Sequence, residues 1–159
     1  SDVCSSDLQD ASISPMENNL KVEIVKWIDG KAKLTMIRET VFIEEQKVTP
    51  QLEWDGLDEG AIHFLAYQDK VAIGCARAII HHNAMQLGRM AVLKEHRHQG
   101  VGRALIEKAI TTSKLNHLSN ISISAQCHAI DFYKRFGFEI ISDIYLDADI
   151  PHRDMRLEF

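Results

Sequence analysis

From Leu20 onward the hydrophobic period of the chain changes repeatedly, and each change marks an element. "LKVEIVKWI" largely alternates polar and apolar residues and predicts a strand. In "DGKAKLTMIRETVFIEEQ" the positions Leu34, Ile37 and Val41, with Glu45 one step further, follow helical spacing. "KVTPQLEWDGLDEG" has no period and gathers proline, glycine and acids, which predicts a long loop with room for one helical turn. Long loops in compact domains are often functional. "AIHFLAYQDKVAIGCARAII" then gives two strand-like runs joined by a polar "QDK", and after "HHN" comes a third run, "AMQLGRMAV". The three predict an antiparallel meander.

Helical spacing returns in "VGRALIEKAITTSKL", where Leu105, Ile106, Ala109 and Ile110 share one face. "NISISAQ" predicts a short strand, "HAIDFYKRFGF" an amphipathic helix closed by Gly137, and "EIISDIYL" and "HRDMRLEF" the closing strands. The order is β-α-β-β-β-α-β-α-β-β. Hairpins force antiparallel neighbours and helical crossovers favour parallel ones, so the expected fold is α/β with a mixed sheet.

Composition narrows the class without naming a function. At 159 residues, 45% apolar and 26% charged, the chain can form one domain with its own core, expected over residues 16–159. Residues 1–15 are polar and lack an apolar signal core; they read as a leader ahead of Met16. No apolar stretch reaches the length of a membrane span. Cys4, Cys75 and Cys127 form no C-x-x-C pair, which argues against a disulfide framework or thiolate zinc site and for a reducing cytoplasm. "HH" and "HRH" lack the spacing that puts two imidazoles on one helix face, so no metal is expected. A net charge of −5 argues against nonspecific nucleic-acid binding.

Basic residues therefore matter locally, above all in "RHQGVGRALIEKAI". A helix N-terminus exposes unpaired N–H groups and the positive end of the dipole, and glycines there let an anion approach the backbone. Around it Lys94, Arg97, Arg103 and Lys108 outnumber Glu95 and Glu107, which suits a multiply charged anion such as a pyrophosphate. The same Gly100 and Gly102 would also serve a plain turn into a capped helix. Arg103 and Ala104 stand where a Walker A loop needs Lys and Ser or Thr, and Leu105 where a dinucleotide fingerprint needs its third glycine. A nucleotide-binding module remains a rival for these glycines.

Arg97, Gly100 and Gly102 match the motif [QR]-x-x-G-x-[GA], after the strand "QLGRMAV" and before a helix, and in this order the chain resembles the GNAT superfamily of N-acetyltransferases across residues 20–159. "VFIEEQ", "EWDGLDE" with His63, "AQ", "FYKRFGF" and "IPH" are similar to the ElaA-like subgroup. The resemblance implies a mixed, mainly antiparallel central sheet with flanking helices, and acetyl-CoA as cosubstrate. It implies that the backbone of His98, Gln99, Gly100, Val101, Gly102 and Arg103 binds the CoA pyrophosphate, with Arg97 the first motif residue. Met90, Ala91 and Val92 would run alongside the pantetheine arm.

Transfer of an acetyl group to an amine needs a neutral nucleophile, a stabilised oxyanion and a proton for the departing thiolate. The resemblance gives the proton to Tyr133, although Ile130, Phe132, Tyr133 and Phe136 also fall at helical core spacing. A backbone N–H near Met90 or Ala91 would meet the oxyanion. Glu45, Asp58, His63 and His152 are candidates for the base or for substrate contacts; each also reads as a solvated carboxylate or a structural histidine. Cys127 reads as a small buried hydrophobe ahead of an acyl carrier. The acidic loop "EWDGLDE" could attract a cationic acceptor or equally be a solvated loop. The expected function is an N-acetyltransferase acting on a small-molecule or peptide amine by direct attack in a ternary complex, with homodimer formation through the final strands as a further expectation. The alternative is a noncatalytic acyl-CoA-binding or sensing module.

Overall fold

The computed structural model describes residues 19–159; the leader and Met16 lie outside the described residues. Strand β1 is Leu20–Lys26, and helix α1 starts at Trp27, inside the stretch read as strand, and runs to Arg38. Lys26 is still extended, and the Trp27 ring then turns onto His63 with centroids 5.3 Å apart, which anchors the start of the helix. From Glu39 to Glu45 the backbone widens into a π-helix, where the N–H of Gln46 reaches back five residues to Val41 O at 3.0 Å. Such bulges concentrate at functional sites. Leu34, Ile37, Val41 and Phe42 stay buried while Glu45 is carried to Arg97 and Gln46 to Gln126.

A single turn, α2 (Pro50–Glu53), interrupts the acidic loop. The meander follows as β2 (Ile62–Gln68), β3 (Val71–His81) and β4 (Ala84–Val92). Its turns, Asp69–Lys70 and His82–Asn83, have positive φ at both residues, as two-residue hairpins of the I′ type require. Next come α3 (Val101–Leu115), β5 (Asn120–Gln126), a 3-10 turn at Cys127–Ala129, and α4, which is only Ile130–Lys134. "EIISDIYL" is not one strand but two short ones, β6 (Glu139–Ile140) and β7 (Tyr145–Asp147). Both pair with β8 (Ile150–Glu158); between them Ser142 Oγ accepts the Asp154 N–H at 2.8 Å and takes the place of a ladder carbonyl.

The strand order is β1-β2-β3-β4-β5-β8-β6, with β7 also on β8. Among the described residues only β4 and β5 are parallel, so the fold is α/β with a mixed, mainly antiparallel sheet. On one face α3 buries Val101, Leu105, Ile106 and Ala109 against Phe64, Ile73 and Ala76; Ile110 is half-buried. On the other face α1 and the π-helix bury Leu34, Ile37, Val41 and Phe42 against Leu65 and Ala91.

The β4–β5 pair is what positions the site. Their register runs only from Ala84↔Asn120 to Leu87↔Ile123, after which the strands part. On the other edge of β4 a bulge sets Gly88 opposite Arg77 but Ala91 opposite Cys75, with Arg89 at φ 48°. A bulge bends its strand and re-aims a side chain. A wedge opens here between Gly88–Val92 and Ser124–Gln126.

Candidate active site

One end of the wedge is the glycine loop. A 3-10 turn at Lys94–His96 leads to Arg97, His98 takes φ 64°, and Gly100 takes φ 80° as the N-cap of α3. The helical ladder begins with the Ala104 N–H on Gly100 O at 3.0 Å, so the first turn of α3 faces the loop with its N–H end. Gly74 on β3 lets this turn sit close to the sheet: a Cβ there would stand 3.0 Å from Val101 Cγ1 and 3.1 Å from Ala91 O. A glycine inside a strand signals such an approach, and "VAIGCARAII" carried that signal.

Two of the basic side chains, Arg97 and Arg103, are engaged by carboxylates. Arg97 is buried; its Nε donates to Val92 O at 3.0 Å and its two Nη atoms grip both Glu45 oxygens at 2.7 Å. Arg103 pairs with Glu107 at 2.6 Å. Lys94 is exposed beside the loop and Lys108 half-buried on α3. The Arg97 hydrogen bonds, against a smaller effect of burial, hold the Glu45 carboxyl below its usual range, which makes it a weak proton acceptor.

Tyr133 enters the wedge from α4. It is 1% exposed, stands edge-on to Phe132 and Phe138, and its Oη donates to Met90 Sδ at 3.6 Å on the splayed half of β4. Met90, Ala91 and Val92 are buried there. Cys127, half-buried, follows the end of β5.

At the other end lies a cavity of about 250 Å³. Phe42, Val48 and Leu52 give it an apolar wall, and Gln46 and Gln126 join across it, amide to amide, at 3.2 Å. His152 closes it from β8. Its ring stacks on Tyr145 at 5.9 Å, and Nδ1 lies 2.6 Å from Ile150 O. A carbonyl only accepts, so Nδ1 carries the proton and Nε2 the lone pair. Burial is the main influence on His152 and lowers its pKa, against the pull of Ile150 O and of Asp147 and Asp154; the ring is neutral at pH 7.

His63 is elsewhere. Its Nε2 lies 2.9 Å from Asp58 O, its ring packs on Trp27, and it does not line the cavity. Asp58 belongs to a charge cluster that the sequence did not reveal. Arg38, 1% exposed, donates through Nε to Glu53 at 2.7 Å and through Nη1 to Asp58 at 2.6 Å. Arg77 grips both Asp55 oxygens at 2.9 and 2.8 Å and reaches Asp58 at 3.1 Å. Arg89, re-aimed by the bulge, binds Glu53 and Asp55, each at 3.1 Å. Burial would raise Asp55, but the Arg77 and Leu57 N–H bonds and the two guanidinium charges outweigh it and hold the carboxyl at about 2. At Glu53 burial wins and pushes the carboxyl up. Three acids of the loop, Glu53, Asp55 and Asp58, are thus matched by Arg38, Arg77 and Arg89, while Glu59 is exposed.

Among the described residues no group of three or more His, Cys, Asp or Glu could hold a metal ion, and no helix is long and apolar enough to cross a membrane. Residues 30–159 match the acetyltransferase (GNAT) domain family. The uncharacterized N-acetyltransferase YjcF of Bacillus subtilis is 33% identical over 137 residues, covering 86% of this chain and 98% of YjcF. An acyl-CoA N-acyltransferase from Pseudomonas aeruginosa shares the fold with a TM-score of 0.76 and 30% identity, covering 86% of this chain and 98% of that one. ElaA of Escherichia coli does so with a TM-score of 0.79 and 25% identity, covering 87% and 99%. With the glycine loop, the splayed wedge and the sequence match in agreement, the chain belongs to the GNAT acetyltransferase family and is ElaA-like.

Proposed function

We propose that the protein is an acetyl-CoA-dependent N-acetyltransferase that acetylates a primary amine by direct attack in a ternary complex. The observation that carries this reading is the wedge itself: a glycine-capped helix start at one end, a cavity with a neutral histidine at the other, and the Tyr133 hydroxyl against β4 between them. The backbone of residues 98–103 would hold the pyrophosphate, and the unpaired edge of β4 at Met90–Val92 the pantetheine arm. Acetyl-CoA supplies the acyl group as a thioester.

His152 Nε2 takes a proton from the amine as the C–N bond forms. Tyr133 Oη gives its proton to sulfur as the C–S bond breaks, and the proton held by His152 restores the phenol through solvent. Glu45, spent on Arg97, aligns the π-helix with the glycine loop rather than accepting a proton. The reading implies a cytoplasmic enzyme with Cys75 and Cys127 reduced.

The test is acetyl-CoA consumption against amines, peptides, amino sugars and polyamines, beside calorimetry with CoA, ATP and NAD. CoA should bind in preference and at least one amine should be consumed. CoA binding with no turnover would favour the sensing module, and preference for ATP or NAD would remove the cosubstrate. Gly100→Ala forces an L residue into φ 80° at a cost of about 1–2 kcal/mol. Where that strain falls on the loop, CoA affinity should drop about tenfold. For His152 the depressed pKa means that the base is unprotonated above the ordinary histidine value of 6.5 and is lost as pH falls through its own lower value. The pH profile of kcat should show an acid limb with a midpoint below 6.5. In His152→Gln that limb should vanish together with most of the turnover; an unchanged profile would assign the base elsewhere.

A further inference from the structure

The balance of charge in the cavity goes beyond the amine in general. Glu53 and Asp55 lie in its wall, but with Asp58 they are matched by Arg38, Arg77 and Arg89. Asp147, at the end of β7, also lines it, and it makes no ion pair within the described residues. Its carboxylate is exposed at the rim. Among the described residues the lining therefore carries one uncompensated negative charge, and the register fixes where it sits.

In the β7–β8 hairpin Tyr145 is opposite His152 and Asp147 opposite Ile150. Tyr145 and Asp147 are two residues apart on one strand, so their side chains share a face, and Tyr145 stacks on His152 across it. Asp147 and His152 are thus diagonal neighbours on the cavity face, with Cα atoms about 7–8 Å apart by the usual geometry of such pairs. The negative charge of Asp147 is felt at the His152 ring. The apolar wall of Phe42, Val48 and Leu52 borders the same space.

We infer that the acceptor is a small aliphatic diamine, whose reacting nitrogen meets His152 while its second ammonium is held by Asp147 and its methylenes lie on the apolar wall. The inference rests on the acetyltransferase reading and adds no chemical step to it. Size agrees: about 250 Å³ falls just short of the ~300–1,000 Å³ of pockets that take drug-sized ligands. A chain of about four methylenes suits the diagonal between the two side chains. Arg89 does not turn the preference toward carboxylates, because Glu53 and Asp55 already use its charge.

Three acceptors of matched length separate the possibilities: 1,4-diaminobutane, butylamine and 4-aminobutyrate. Binding to the full chain with CoA present is read by calorimetry, and acetylation by acetyl-CoA consumption. The diamine should bind about tenfold or more tighter than butylamine, and Asp147→Asn should erase most of that ratio while Asp147→Glu retains it. A ratio near one in the unmodified protein, a ratio untouched by Asp147→Asn, or tighter binding of 4-aminobutyrate would overturn the assignment. Diamine binding that depends on Asp147 but leads to no consumption would uphold the site and sink the transferase reading instead.

Discussion

Tyr133→Phe is expected to lower kcat about 10²–10⁴-fold while leaving CoA affinity nearly unchanged. The ring itself is held by packing: it is 1% exposed, with Phe132 and Phe138 edge-on at 5.2 and 5.9 Å. Phenylalanine keeps all of that and removes one hydroxyl. The hydroxyl faces Met90 Sδ at 3.6 Å, and a thioether is a weak acceptor, so losing that contact costs little. Thermal stability should hardly move. A residue that merely fills the core would show the same stability and the same kcat as the parent protein, so the separation of rate from fold is the readout. Steady-state kinetics with the best amine, beside calorimetry with CoA, makes the comparison. Unchanged turnover would return Tyr133 to a packing role and leave the departing thiolate to solvent.

Much of this arrangement is legible in the sequence because it is built from local period. The meander, α3 with its buried face, and the glycine junction each follow from residues close together in the chain. Elements decided by competition from afar are not legible. Leu34, Ile37 and Val41 fit an ordinary helix, and nothing in their spacing announces the π turn that delivers Glu45 to Arg97, 52 residues away. "EIISDIYL" looks like one strand until the Ser142 hydroxyl claims a ladder N–H. His63 and His152 read alike, and only the fold sends one to Asp58 and the other to the cavity. The acidic loop reads as solvated or attractive to cations, and its spacing does not announce that the arginine partners of Glu53, Asp55 and Asp58 lie on α1, β3 and β4. Gly74 and Gly88 did mark a close approach and a bulge, but a glycine does not say which neighbour comes near or which side chain is re-aimed.

The buried cluster makes the second large prediction. Arg38→Met should destabilise the protein by about 3–5 kcal/mol, because methionine keeps most of the volume but leaves Glu53 and Asp58 short of a partner inside the fold. For a domain of this size that is a fall in Tm of about 6–20 °C. Trp54 also loses the guanidinium 4.8 Å from its ring centre. The pH dependence has a definite sign. Burial already raises Glu53 above its usual value, and removing Arg38 raises it further, so the folded variant favours the protonated acid. The deficit relative to the parent protein should be largest at neutral pH and shrink as pH falls toward the carboxylate range. Replacing Glu53 by Gln and Asp58 by Asn in the same chain should recover part of it, since the stranded charges and not the missing arginine carry the cost. Function should fail in a particular order. Glu53 and Asp55 line the cavity, whereas the glycine loop is held by Arg97 on Glu45 and Val92, so acceptor KM should rise before CoA affinity changes. Melting curves at neutral and mildly acid pH, with calorimetry for CoA, read both effects; a Tm that does not depend on Arg38 would mean that the cluster is solvated in solution and does not set the cavity wall.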